Sequence, residues 1–146
     1  MKRTKILSSC ATVLRSVVVL CAFAACNDTA TSPASILTNA PVTASVTDAF
    51  TYVMMANSYT ASVKYDLNFT TDSLVYSMVV GNFGAGNIAF VVADPLGNTI
   101  LRDSVFTSKV NTVVQSGKGI PKRCTLSFQN FTGSINLALT ANGARH

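Results

Sequence analysis

From Val42 onward, apolar and polar residues alternate with a period of two. In the clearest run Tyr59, Ala61, Val63, Tyr65, Leu67 and Phe69 fall on one face, and Thr60, Ser62, Lys64, Asp66 and Asn68 on the other. Successive side chains of a strand point to opposite faces, so this alternation predicts a half-buried strand with a wet outer side. Phe50, Tyr52 and Met54 alternate ahead of it, and Asn57-Ser58 is the expected turn between the two. Ser73–Val80 and Asn87–Ala93 are β-branched and aromatic runs separated by Gly81-Asn-Phe-Gly-Ala-Gly86. Asp94-Pro-Leu-Gly97 puts proline second and glycine fourth, the composition of a type I turn, with Thr99–Val105 as the returning strand. Val110–Val114 follows, then a turn over Gly117–Arg123. Cys124, Leu126 and Phe128 alternate next, and Ile135, Leu137 and Leu139 do so after a turn at Asn130–Gly133.

Seven or eight short strands with frequent turn signals and no amphipathic helix predict an all-β fold. The expected architecture is a single antiparallel β-sandwich, Ig-like or jelly-roll-like, over residues 42–146. The chain has no tryptophan, so the Ig hallmark of a cysteine pair bracketing one is missing. Cys124 shares the apolar face of its strand and is expected to be buried. Asn68-Phe-Thr and Asn130-Phe-Thr recur at strand ends. Ahead of the domain, residues 27–41 mix Thr, Ser, Ala, Asn and Pro without any apolar period. Together with Cys26 they are expected to form a flexible tether with a reach on the order of 20 Å.

The N-terminus has a different character. Lys2, Arg3, Lys5 and Arg15 precede an uncharged run, Ser16–Ala25, and Asn27-Asp28 close it. That run is about half of the roughly 20 apolar residues a bilayer-spanning helix needs, and it has the layout of a secretory signal. Its end, Phe23-Ala24-Ala25-Cys26, resembles the lipobox of bacterial lipoproteins at both small positions and the cysteine, with Phe23 where that family usually has leucine. The resemblance implies recognition of Phe23, Ala24 and Ala25 by the lipoprotein signal peptidase and cleavage before Cys26. It further implies a diacylglyceryl thioether and an N-acyl chain on Cys26, and an address in the bacterial cell envelope. Several acyl chains hold a protein stably at a membrane, whereas one does not. The alternative is an ordinary secreted protein cut after Ala25, with a free thiol at Cys26. Within the domain, the Asp94–Gly97 hairpin and the last strand after Phe131-Thr-Gly133 are similar to bacterial pre-peptidase C-terminal domains. Those are small exported β-sandwiches, and the likeness implies a fold and no function.

Charge narrows the function classes. The formal net charge of +5 includes four basic residues of the expected signal; without them, seven basic residues face six aspartates, a net of +1. No basic footprint for nucleic acid remains. The only histidine is His146, at the terminus, and there is no glutamate, so Ser-His or Cys-His catalysis lacks a base. No Cys/His spacing suits zinc and no Asp-rich loop suits calcium. Neither a catalytic residue, a metal site nor a cofactor is expected, apart from the covalent lipid on Cys26.

What remains is binding. Phe83, between glycines, is either a platform for a sugar ring or a cap on the end of the sandwich. Lys118, Lys122 and Arg123 form either a contact for anionic groups or a partner, or a solvated turn. The sequence thus predicts a non-catalytic envelope lipoprotein that binds or scaffolds at a membrane surface, with an envelope protein or a glycan as partner. The alternatives are a subunit that assembles by β-strand addition and a carbohydrate-binding module.

Overall fold

The computed structural model describes residues 37–143. Six strands make up this region: β1 (Val42–Val46), β2 (Ala49–Asp66), β3 (Leu74–Ala93), β4 (Thr99–Val105), β5 (Lys109–Gln115) and β6 (Arg123–Ala141). All pairings between them are antiparallel. The fold is all-β, and no helix occurs among the described residues.

Three strands are unusually long. β2, β3 and β6 have 18, 20 and 19 residues, against about 5–6 in an ordinary strand. Their ladders are interrupted at mid-length, at Ala56–Ala61 of β2, Gly81–Asn87 of β3 and the facing part of β6. The rings of Tyr76 and Phe90, fourteen positions apart on β3, nevertheless stack with centroids 5.1 Å apart. A straight strand would hold them about 46 Å apart. β3 therefore folds over on itself, and β2 does the same, bringing Phe50 within 5.3 Å of Tyr65.

The result is a sandwich through which three strands pass twice. One layer has five segments in the order β1, first part of β2, second part of β6, first part of β3, β5. The other has four: second part of β2, first part of β6, second part of β3, β4. In both, β6 is held between β2 and β3.

This corrects the expected strand count. Asn57-Ser58, Gly81–Gly86 and Asn130–Gly133 are bends that carry a strand from one layer to the other, not turns that reverse it. At each bend the backbone takes a left-handed conformation: Ser58, Asn82 and Asn130 have φ of 50°, 49° and 49°, and Gly86 has 83°. A left-handed residue inside a strand adds a bulge and redirects the chain without sending it back beside itself. Side chains sew the bends together. Thr132 Oγ1 accepts from Ser58 N–H at 2.9 Å and Thr60 Oγ1 accepts from Asn130 N–H at 2.8 Å. Asp94–Gly97, by contrast, is a true reversal. Gly97 N–H donates to the Asp94 carbonyl, and the Asp94 carboxylate accepts from the amides of Leu96 and Asn98.

Between the layers lies one core that includes Phe50, Tyr52, Tyr76, Phe90, Phe128 and both phenylalanines of the recurring triplets, Phe69 and Phe131. Cys124 is fully buried there, as its place on the apolar face predicts, and burial pushes its thiol up to about 12. Such a thiol is inert, because the thiolate is the reactive form. The domain also takes up the end of the expected tether. Thr38 bridges Met55, and Asn39 donates its N–H to the Met55 carbonyl at 2.7 Å while its side chain bonds the backbone of Asn57. The expected signal segment, residues 1–25, and Cys26 lie outside the described residues.

Candidate functional site: the two outer faces and their edges

Directly opposed residues of paired strands point to the same face, so register alone assembles each outer surface. On the five-stranded layer one row reads Val42, Val53, Asn136, Val79, Val110, and a parallel row reads Val46, Ala49, Thr140, Val75, Val114. Ala44, Thr51, Ala138, Ser77 and Thr112 fill the space between. The valines of the first row are exposed, from 42% for Val79 to 78% for Val110, and Met55 extends the apolar surface. None of these positions carries a charge.

The opposite surface differs in kind. On the four-stranded layer one row reads Lys64, Thr125, Val91, Arg102, and the next Asp66, Arg123, Ala93, Thr99. A third holds Ser62, Ser127, Ala89 and Ser104, with the hydroxyls of Ser62 and Ser127 hydrogen-bonded at 2.9 Å. Charges and hydroxyls solvate this face, as the alternation from Tyr59 to Phe69 predicts.

One side of the sandwich is closed by a polar cluster. Asp103 of β4 accepts from the Tyr76 hydroxyl at 2.6 Å, from Lys109 Nζ at 2.6 and 2.8 Å, from Asn111 Nδ2 at 3.2 Å and from the Ser104 amide at 2.8 Å. Burial pushes the Asp103 carboxyl up, but the hydrogen bonds from Lys109, Tyr76, Asn111 and Ser104 outweigh it and hold the group below the usual carboxylate range. Burial and the adjacent carboxylate raise the Tyr76 hydroxyl far above the ordinary tyrosine value. The cluster ties β4 of one layer to β3 and β5 of the other. Its groups are engaged with one another, which is the chemistry of a brace. Asp48 plays a similar part at the β1–β2 turn, where hydrogen bonds from the Thr70 amide and hydroxyl hold its carboxyl low.

The residues singled out from sequence are dispersed. Phe83 is half-buried and packs on Phe131 with centroids 5.9 Å apart, in the manner of a cap. Lys122 turns inward to donate from Nζ to the Phe69 carbonyl at 2.7 Å. Lys118 is exposed in the loop before β6, and Arg123 lies on the charged face opposite Asp66. The structure does not gather these four into one site. Phe106, in the β4–β5 loop, is the exposed ring, and sequence reading passed over it. The uncharged face was missed as well. Its signal is the loss of alternation in Ala49–Ala56 and Leu74–Val80, where apolar residues occupy both sides of the strand. Among the described residues no three His, Cys, Asp or Glu side chains converge as metal ligands.

No protein-family model matches the chain, and no curated protein matches it. Solved structures give distant likenesses. A Bacillus endospore appendage from a family of disulfide-linked pili shares 15% identity over 69% of this chain and 87% of its own, with a TM-score of 0.42. A family 29 carbohydrate-binding module in complex with mannohexaose shares 12% over 70% and 77%, with a TM-score of 0.39. The module CsCBM6-3 from Clostridium stercorarium, in complex with cellobiose, shares 16% over 69% and 80%, with a TM-score of 0.33. At these scores the likenesses carry no argument about what this chain does.

Proposed function

We propose that this chain is a non-catalytic envelope lipoprotein, anchored through Cys26, that docks other protein through the uncharged outer face of its five-stranded layer. The observation that supports it is the contrast between the two faces: exposed valines without a charge on one, lysine, arginine, aspartate and serine on the other. With strands about 4.8 Å apart and like-facing residues about 6.7 Å apart along each strand, the uncharged face covers on the order of 500 Å². Contiguous exposed surface of that character marks protein contact sites, whose centres are depleted of charge. The lack of a histidine base among the described residues, and the engagement of the Asp103 cluster's groups with one another, favour docking over chemistry.

Two measurements test the reading. Cys26→Ser moves the protein from the membrane to the soluble fraction; retention in the membrane overturns the anchor. A photo-crosslinking residue at Val79 forms protein adducts in intact cells, whereas one at Ser104 on the charged face does not. Equal labelling from both positions, or none from Val79, overturns the docking face.

A further inference from the structure

β1 is the outermost strand of the five-stranded layer, and among the described residues no strand pairs with its other side. Its unsatisfied groups follow from the neighbouring hydrogen bonds. Along an antiparallel strand, successive residues direct N–H and C=O to opposite sides. The Asp48 carbonyl accepts from Ala141 N–H at 2.8 Å, on the β6 side, and the Met55 carbonyl accepts from Asn39 on the β1 side. Ala49, Thr51 and Val53 therefore face β1, where they meet Val46, Ala44 and Val42. Thr43 and Ser45 are left to direct their amides and carbonyls away from the sheet.

An edge of this kind is normally blunted by a charge, a proline, a bulge or a cover. The β2 edge of the other layer carries Lys64 and Asp66, β4 carries Arg102 and Asp103, and β5 opens with Lys109. β1 reads Val-Thr-Ala-Ser-Val: all five residues are exposed and uncharged, and none is a proline. It is also close to a palindrome. Laid antiparallel against itself about Ala44, it puts Val42 opposite Val46, Thr43 opposite Ser45 and Ala44 opposite Ala44. Thr43 and Ser45, whose backbone groups point outward, then fall in the hydrogen-bonded pairs. The three other positions sit on the valine face.

We propose that a second copy of this chain pairs with β1 through β1, antiparallel about Ala44, so that two five-stranded layers become one continuous ten-stranded sheet. The inference rests on the docking reading and names its partner at this edge. Strand direction favours this occupant over a head-to-tail neighbour. Five alternating strands leave β1 and β5 running the same way, so translated copies meet in the weaker parallel pairing, whereas a twofold at Ala44 gives the antiparallel one. A five-residue pair is a small interface, so the dimer dissociates on dilution.

The register makes the proposal sharp. At the twofold, Ala44 forms a non-hydrogen-bonded pair with Cα atoms about 4.5 Å apart, within the span of a disulfide, whereas two copies of residue 42 are about 13 Å apart. In the full-length protein purified from its membrane in detergent, Ala44→Cys therefore gives a disulfide-linked dimer under mild oxidation. Val42→Cys stays monomeric, and the double variant Val42→Cys/Val46→Cys links again. Cys124 is too buried to take part, and wild type supplies the baseline. Ala44→Lys, on the exposed face, keeps the fold and weakens the dimer about tenfold or more by opposing two charges at the axis. Equal linking by Ala44→Cys and Val42→Cys, or no linking by Ala44→Cys, overturns the pairing. In the second case, adducts from Val79 to a different protein leave the docking face standing; their absence removes that reading too.

Discussion

Gly86→Ala unfolds at a far lower denaturant concentration than wild type, with a loss of about 3 kcal/mol or more. Two effects add. Gly86 has a φ of +83°, which costs any other L-residue about 1–2 kcal/mol. A Cβ there also comes within 2.3 Å of the Gln129 carbonyl oxygen and 2.4 Å of the Asn130 carbonyl carbon and oxygen. All of these are backbone atoms, so relief requires β3 and β6 to separate where both bend. Gly97 separates the two terms, because its φ is +89° and nothing lies within 4 Å of its would-be Cβ. Gly97→Ala therefore shows the conformational cost alone, about 1 kcal/mol. If equilibrium unfolding finds the two variants equally destabilised, the bends are not clamped together.

Asp103→Ala is the second large effect, about 3 kcal/mol. It leaves the hydroxyl of fully buried Tyr76 without its carboxylate acceptor and Lys109 without its only ion-pair partner among the described residues. Tyr76→Phe in the same chain removes the stranded hydroxyl, so the double variant recovers about 1 kcal/mol relative to Asp103→Ala. An additive double variant would show that the hydroxyl is not stranded. The same cluster sets an acid limit. The Asp103 carboxyl is held low in the folded state, so its stabilisation is complete above its unfolded value near 4 and is lost as pH falls through the folded value. Asp103→Asn flattens this acid limb, and an unchanged limb assigns acid sensitivity to other carboxylates such as Asp48.

The sequence made the fold class legible because period-two alternation is a direct image of a strand with one wet side, and Tyr59–Asp66 is such a strand. It failed at 57–58, 81–86 and 130–133 because Asn, Ser and Gly supply positive φ to a bulge as readily as to a hairpin. Which one forms depends on partners far away in the chain: Thr132 for Ser58, Thr60 for Asn130. The docking face was hidden for a related reason. Alternation marks a strand by its polar side, and the five-stranded layer has valines there instead. Lys122 read as a surface charge, yet its ammonium is taken by the carbonyl of Phe69, an interaction 53 residues long in sequence that no local pattern encodes.

The position of β6 has a consequence for how the chain comes to be folded. It is the last of the described strands along the chain and an inner strand of both layers, joining β2 to β3 on each. Until its residues emerge, β2 and β3 have no common neighbour, and neither layer has a middle. A chain made from its N-terminus therefore cannot close either layer before residues 123–141 are available. The sandwich is completed in one late step, when that strand inserts between the two it joins.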